Sequence, residues 1–109
     1  MARNKIFLGT ELKLNVNIAP MGNQTMETYD WQVEISCGSF GKQKVVIPKA
    51  DAKKGSDANN YLVRVDTNLL GVGKMKIKIT AYLDDGDFPD RKRTEIEEID
   101  PGIEIVKGL

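Results

Sequence analysis

The sequence predicts an all-β protein, an immunoglobulin-like antiparallel β-sandwich of seven to eight strands that forms one domain over residues 1–109. Three observations support this fold class. Apolar and polar residues alternate along several short segments, which is the pattern of half-buried strands. Turn-forming residues separate these segments at short intervals. No segment of ten or more residues shows the 3.6-residue helical period. A small barrel is the alternative architecture.

Three segments show the alternation most clearly. They run from Glu11 to Ala19, from Trp31 to Cys37 and from Lys74 to Leu83. In each, the apolar side chains fall on one face, which predicts that this face is buried. These apolar residues are Leu12, Leu14, Val16 and Ile18; Trp31, Val33, Ile35 and Cys37; and Met75, Ile77, Ile79, Ala81 and Leu83. Trp31, the only tryptophan, is predicted to anchor the core between the sheets.

Weaker strand patterns complete the sandwich. They cover Lys5–Leu8, Lys44–Ile47, Tyr61–Val65, Thr94–Ile99 and Ile103–Val106. Ile96 and Ile99 are three residues apart, which breaks the alternation. We therefore expect either a bulge at Glu97 and Glu98 or an edge strand. The segment from Ala50 to Ala58 is interpreted as a connection between strands that can hold one helical turn.

The connection from Asp66 to Gly73 contains residues that can form a defined turn. Asp66 or Thr67 can accept hydrogen bonds from the next amides, and Leu70 can fill the end of the sandwich. Gly71 or Gly73 can take a positive φ and so start the next strand.

The composition excludes several classes of partner. Sixteen basic and sixteen acidic residues cancel, so the long-range field that draws proteins to nucleic acids or anionic membranes is absent. No apolar run reaches the roughly 18 residues of a membrane span. The start, MARNKIFLGTELK, lacks a signal-peptide core, which indicates synthesis in the cytoplasm. The single cysteine, Cys37, shares a strand face with Trp31 and is predicted to be a buried, inert thiol.

The residues that most enzymes need are missing. The chain has no histidine, which removes the commonest general base, the histidine-dependent nucleophiles and most zinc sites. The segment GVGK, Gly71 to Lys74, lacks the spacing of a phosphate loop and its following Ser or Thr. An acid–base pair at Asp87 and Asp90 would lie in a solvated loop, where their pKa values would not separate. We therefore expect a non-enzymatic protein without a cofactor.

The segment DDGDFPDRKRTE, Asp84 to Glu95, is the strongest chemical candidate. It offers four aspartates as hard oxygen ligands and a glycine for a sharp turn, as a calcium site requires. The aspartates are Asp84, Asp85, Asp87 and Asp90. The EF-hand spacing is absent, however, and an ordinary turn selects the same residue types. A solvated hairpin loop is the favoured interpretation, with calcium binding as the alternative.

Charged rows offer candidate protein contacts. Lys74, Lys76 and Lys78 form a row on one outward strand face, either solvated or docked against an acidic partner. The run from Arg91 to Arg93 is too short for a nucleic-acid patch, and pairing with Asp87 or Asp90 is expected instead. The partner-contact candidates are Lys74, Lys76, Lys78, Phe88, Arg91, Arg93, Glu95 and Glu97.

Large apolar side chains also fall in predicted loops. Met21, Phe40 and Phe88 either fold back onto the core or contact a partner.

Four segments carry a resemblance to known proteins. They are KIFLGTELKLNVNI, YDWQVEI, YLVRVDTNLLGVGKMKIKITAYLDDGDFPDRKRTEI and GIEIVKG. Together they resemble small β-sandwich structural proteins of gut-associated tailed bacteriophages, crAss-like phages among them. A strand, then D-T-x-x-L-G-x-G, then a long strand is also similar to the N-terminal domain of baseplate upper proteins that anchor tail fibres.

The resemblance implies a virion component that decorates the capsid or attaches fibres to the head or tail. Since no coiled coil or fibre domain follows Leu109, a decoration or adaptor subunit is expected. Its partners would be other virion proteins, in a homo-oligomer or larger assembly, after synthesis in the cytoplasm of the bacterial host.

Contacts of such a subunit are expected at strand edges and charged patches. Thr94–Ile99 or Ile103–Val106 could add to the sheet of a neighbour. The bases of the lysine row and the acids Glu95, Glu97 and Glu98 could form complementary patches. The alternative function is a calcium- or carbohydrate-binding β-sandwich module at a cell surface.

Overall fold

A computed structural model describes residues 4–18, 24–38, 43–55 and 59–108, and these residues form nine strands and no α-helix. The all-β prediction is therefore confirmed. The strands are β1 (Asn4–Phe7), β2 (Glu11–Asn17), β3 (Asp30–Cys37), β4 (Gln43–Pro48), β5 (Lys53–Lys54), β6 (Asn60–Asp66), β7 (Gly73–Asp84), β8 (Lys92–Ile99) and β9 (Ile103–Val106). Two 3₁₀ turns, Lys49–Asp51 and Thr67–Leu69, lie in the connections.

The strands form two sheets that pack face to face. The larger sheet has the order β1-β9-β7-β3-β4, and β8 pairs with β7 on the side where β9 also pairs. The smaller sheet has the order β2-β6-β5. The pairs formed by the described residues are antiparallel except that of β1 with β9, which is parallel. This two-sheet order is that of an immunoglobulin-like sandwich.

The core lies between the sheets and follows the predicted alternation. Every second residue of β3 from Trp31 to Cys37 is buried, and β7 repeats this pattern from Met75 to Leu83. On β2 the apolar face is covered less completely, since β2 is an edge strand of the smaller sheet. Thr80 of β7 lies on the outer face but is also buried, between Gln32 and Ile96 of the neighbouring strands.

Trp31 has the predicted role of core anchor. It is 1% exposed, and its ring meets Tyr61 of the opposite sheet edge to face, with the ring centroids 5.0 Å apart. The indole Nε1 donates to the Met26 carbonyl at 3.0 Å, which satisfies the one polar atom of the side chain. This aromatic pair joins the two sheets and holds the loop that precedes β3.

That loop is attached to the core at several points. Met26 and Tyr29 are buried although they lie outside the strands. The Met26 amide donates to Asn59 Oδ1 at 3.1 Å. Lys49 Nζ donates to the carbonyls of Glu27 and Tyr29, each at 2.8 Å. The loop therefore forms part of the folded core rather than a loose connection.

The structure has one more strand than the seven or eight predicted. β5 pairs with β6 inside the segment that was interpreted as a connection. The helical turn allowed for that segment is the 3₁₀ turn at Lys49–Asp51. Two residues are too few to show an alternating pattern, so the sequence carried no signal for β5.

For the region of β8, the sequence predicted either a bulge or an edge strand, and the structure decides between them. β8 pairs with β7 without interruption from Lys92 to Ile99, so the bulge predicted at Glu97 and Glu98 is wrong. The other expectation, an edge strand, is confirmed, because in the described part of the chain β8 pairs only with β7.

The irregularity lies between β8 and β9 instead. Five residues of β7, from Ile77 to Gly73, face seven residues of the opposing chain, from Ile99 to Ile105. Gly102, with a φ of 72°, takes up the extra length. The strand β9 then pairs with both β1 and β7, so the prediction that Ile103–Val106 is a free edge is wrong.

The connection between β6 and β7 forms as predicted. Asp66 Oδ1 accepts from the Asn68 amide at 2.9 Å, and Leu70 is buried at the end of the core. Gly71 and Gly73 both have positive φ, at 75° and 135°. A Cβ on Gly73 would lie 2.7 Å from the amide nitrogen of Gly38, so two chain segments approach here as only glycines allow.

Candidate functional site

The hairpin tip, defined as residues 84–92, joins β7 to β8 in a compact turn. The Asp85 amide donates to the Arg91 carbonyl, and the Arg91 amide donates to the Phe88 carbonyl, both at 2.9 Å. Arg91 has a φ of 61°, in the left-handed region that a tight turn requires. The tip therefore has a defined backbone shape, as predicted for a hairpin loop.

The aspartates of the tip hold the turn together. Asp85 Oδ1 accepts from the Asp87 amide and Asp90 Oδ1 from the Lys92 amide, both at 3.0 Å. Asp84 pairs with the Lys92 ammonium. Across residues 4–18, 24–38, 43–55 and 59–108, no three acidic, cysteine or histidine side chains converge as a metal site would need. The tip is built as a turn, and the carboxylates of Asp84, Asp85 and Asp90 are directed to backbone amides or to cations.

At the start of β8, Arg93 forms ion pairs with other acidic residues than those predicted. Arg93 Nη1 lies 3.3 Å from Asp85 Oδ2, and Nη2 lies 3.3 Å from Glu95 Oε1. Pairing with Asp87 or Asp90 was predicted, but the antiparallel register sets Arg93 opposite Leu83, next to the end of β7. Arg93 Nε is buried and has no acceptor among the described residues.

Tyr29 lies close enough to the Glu95 carboxylate of this ion pair for that charge to influence the pKa of its hydroxyl. Burial, and to a smaller extent Glu95, raises the pKa of Tyr29. The Tyr29 hydroxyl is buried without a hydrogen-bond partner in the described part of the chain. A neutral, unpaired hydroxyl beside a bridged carboxylate offers no activated nucleophile or base.

The lysine row is balanced by acids within the same sheet. Lys78 lies directly across from Glu34 on β3 and Glu98 on β8, and Lys74 lies across from Glu104 on β9. The predicted acidic patch divides, since alternation places Glu98 on the outer face while other acids of β8 face inward. Those acids are Glu95 and Glu97. The outer face of the larger sheet is therefore a mixed charged surface on which, of the three predicted acids, only Glu98 lies on the same face as the lysine row.

A groove opens where the free edges of β2 and β8 separate. It has a volume of about 350 Å³. Ile18, Ile79 and Ala81 supply apolar walls, and Glu95 and Glu97 lie at its rim. The groove contains apolar and acidic groups without a nucleophile beside a base.

The opposite end of the sandwich exposes large apolar side chains. We call residues 7–10 and 67–72 the apolar end. The exposed fractions are 64% for Phe7, 37% for Leu8, 60% for Leu69 and 52% for Val72. Two hydrogen bonds join the two segments: Gly9 N donates to Thr67 Oγ1 at 2.8 Å, and Thr67 N donates to the Thr10 carbonyl at 3.2 Å. Sequence reasoning missed this surface, because its residues follow no periodic pattern.

The remaining predicted positions are structural or lie outside the described residues. Cys37 is buried on β3 as predicted, and burial raises the pKa of its thiol. Phe88 in the hairpin tip is 43% exposed. Met21 and Phe40 lie outside the described residues.

The fold defines the class of the protein: a two-sheet β-sandwich whose distinctive surfaces are one apolar end and one charged edge. Searches among protein families, curated proteins and solved structures found no match. Among the described residues, no helix has the length and apolar character needed to span a bilayer.

Proposed function

We propose that this chain is a non-enzymatic structural subunit of a tailed-bacteriophage virion, either a capsid-decorating subunit or an adaptor that attaches fibres. It works through protein–protein contacts with other virion proteins and is made in the cytoplasm of the bacterial host. The observation that carries the proposal is the apolar end. Four large apolar side chains are exposed there on two segments that hydrogen bonds hold side by side.

These exposed apolar side chains indicate a contact surface because they lie close together. Single exposed apolar residues are normal on protein surfaces, whereas several together mark a contact surface. The end of the core is already closed by Leu70, which is buried directly beside the exposed Leu69. Leu69 and Val72 are therefore not needed to seal the sandwich, and a partner protein is the natural cover for them.

The surface is also preorganised. Thr67 is fully buried and accepts a hydrogen bond from Gly9, so the two segments have a fixed relative position. The 3₁₀ turn at Thr67–Leu69 is capped by Asp66. A surface that is already ordered loses little conformational entropy on binding, which favours stable assembly.

The resemblance of the sequence to small β-sandwich proteins of phage virions supports the choice of partner. Edge and loop contacts on a rigid sandwich are the means by which such modules assemble.

The first test is the composition of the particle. Particles of the phage that encodes this chain, purified on a density gradient, should contain it at a reproducible ratio to the major capsid protein when measured by quantitative mass spectrometry. Absence of the chain from infectious particles would overturn the proposal. Saturable glycan binding by the isolated chain, without particle association, would favour the cell-surface module.

A second test examines the surface itself. Leu69→Ser combined with Val72→Ser should abolish binding to particles that lack the chain, while leaving the urea midpoint of unfolding almost unchanged because both side chains are exposed. Phe88→Ser removes an exposed apolar side chain from the opposite end and serves as the matched control. Equal loss of binding in both variants would show that the apolar end is not the contact surface.

A further inference from the structure

The edge strand β8 separates its charges by sign. Lys92 and Arg93 lie at its start, Glu95 lies near its middle, and Glu97 and Glu98 lie in its second half. Charged side chains on an edge strand usually discourage pairing with other strands. When the two signs lie at opposite ends, an antiparallel copy of the same strand places each basic residue near an acidic one. The strand β8 is thus complementary to itself.

The other free edges lack this property. β1 has four residues and β5 has two. β4 ends at Pro48, which cannot donate a backbone hydrogen bond. β2 carries only Glu11 and Lys13 as charges, both in its first half. At eight residues, β8 is the longest free edge in the described part of the chain, and its Ile96 is 58% exposed.

We infer that two copies of this chain dimerise by antiparallel pairing of β8 with β8, which continues the larger sheet from one copy into the other. A two-fold axis perpendicular to the sheet keeps both inner faces on the same side, so each residue lies opposite one that faces the same way. In the register we assign, Lys92 lies opposite the second copy's Glu98 and Arg93 opposite its Glu97. The β-branched Thr94 lies opposite the second copy's Ile96.

Two features of the inner face support this register. The Arg93 side chain is 37% exposed although its two Nη atoms already contact Asp85 and Glu95, so in this register the second copy's Glu97 carboxylate can pair with the exposed part of the guanidinium. Glu95 lies at the two-fold axis opposite itself, where two carboxylates would repel each other. In each copy, however, Glu95 is already bridged by Arg93 Nη2 at 3.3 Å, which offsets that repulsion.

The same pairing covers the groove beside β8. Its apolar walls, Ile18, Ile79 and Ala81, lie between the free edges of β2 and β8. In the dimer the two grooves face each other across the axis and lose contact with water. Burial of these apolar walls favours dimerisation, and the charged pairs favour the antiparallel orientation of the two β8 strands.

The test uses charge reversal with complementation. The wild-type chain should form a dimer in sedimentation equilibrium, and raising the salt concentration should weaken it. Glu97→Lys with Glu98→Lys makes β8 basic, and Lys92→Glu with Arg93→Glu makes it acidic. Each variant alone should dimerise about tenfold or more weakly than wild type, and an equimolar mixture should restore the dimer. Lys74→Glu with Lys76→Glu, on the same sheet face but away from the edge, should leave dimerisation unchanged.

A disulfide test checks the register. In a Cys37→Ala background, Glu95→Cys should form an intermolecular disulfide on oxidation, because it lies opposite itself at the axis. Glu98→Cys lies opposite Lys92 and should remain largely unlinked. Equal yields from the two variants would overturn the assigned register. If the acidic variant fails to fold by circular dichroism, the basic variant and the disulfide pair still decide the question.

The inference stands apart from the proposed function. A wild-type chain that stays monomeric at millimolar concentration, or a dimer that survives both charge reversals, overturns the β8 pairing. Dimerisation should persist in the variant with Leu69→Ser and Val72→Ser, which tests the apolar end. Loss of particle binding with an intact dimer, or the reverse, therefore shows which of the two proposals has failed.

Discussion

The two ends of the sandwich differ in what they do with apolar side chains. At the end that carries the hairpin tip and the loop before β3, Met26, Tyr29 and Trp31 turn into the core, and aspartates organise the turn. At the apolar end, Leu70 is buried at the end of the core while its neighbours Leu69 and Val72 face solvent. The comparison teaches that a few buried side chains are enough to close each end, so clustered apolar side chains left exposed beyond them indicate a contact with another molecule.

The largest loss of stability is expected when Trp31, which is buried at the hairpin-tip end of the core, is replaced. Trp31→Ala removes the ring that meets Tyr61 and leaves a cavity between the sheets, at a cost of about 3 to 5 kcal/mol in the free energy of unfolding. Urea denaturation measures this change. Phe88→Ala at the same end removes a half-exposed ring and should cost less than about 0.5 kcal/mol. Similar costs for the two substitutions would mean that Trp31 is not the anchor.

The apolar end depends on one buried hydroxyl. Thr67→Val keeps the shape of the side chain but leaves the Gly9 amide without its acceptor, so the free energy of unfolding should fall by about 1 to 3 kcal/mol. Thr67→Ser retains the hydroxyl and should cost clearly less. Hydrogen exchange at the Gly9 amide should accelerate in the valine variant alone, and unchanged exchange would remove the hydroxyl from this role.

Substitution of Tyr29 is expected to increase the free energy of unfolding, in contrast to the substitutions of Trp31 and Thr67. Its hydroxyl is buried without a partner among the described residues, so Tyr29→Phe should raise the free energy of unfolding by about 1 kcal/mol at neutral pH. A destabilised phenylalanine variant would mean that the hydroxyl has a partner.

The difference in stability between Tyr29→Phe and the wild-type chain is expected to depend on pH. The folded state holds the Tyr29 proton more tightly than the unfolded chain, because its pKa is raised. This contribution to stability is complete below pH about 10 and is lost as the pH rises through the raised pKa. Cys37, whose pKa is also raised, adds a similar decline from about pH 9 in both proteins. Urea midpoints measured against pH should therefore fall less steeply in Tyr29→Phe than in wild type.

The smallest effect concerns the aspartates of the hairpin tip. The carboxylates of Asp84, Asp85 and Asp90 already accept from backbone amides or pair with cations. Millimolar calcium or a chelator should therefore leave the melting temperature unchanged in differential scanning calorimetry. A saturable rise with calcium that Asp87→Asn and Asp90→Asn remove would restore the calcium site as an explanation of the tip.

Much of the fold could be predicted from local pattern. One face of each long strand is buried, and this burial imposes the period of two that β2, β3 and β7 display in the sequence. The turn at Asp66 to Gly73 could be predicted because its capping aspartate and its positive-φ glycines act over a few neighbouring residues. These features are local, and the sequence expresses them directly.

Features that depend on distant partners could not be predicted in this way. Met26 lies in a polar loop, and only the indole of Trp31 and the side chain of Asn59 explain its burial. The ion pairs of Arg93 follow from the β7–β8 register, which sequence spacing did not reveal. The apolar end joins two segments almost sixty residues apart, so its residues appear isolated along the chain.

The parallel pairing of β1 with β9 has a mechanical consequence. Tension applied before Asn4 and after Val106 would slide these adjacent strands past each other in shear, loading all their hydrogen bonds at once. An antiparallel hairpin pulled at its open end breaks one bond after another and yields at lower force. A subunit held at both ends of this chain is thus arranged to resist stretching along the direction in which β1 and β9 run.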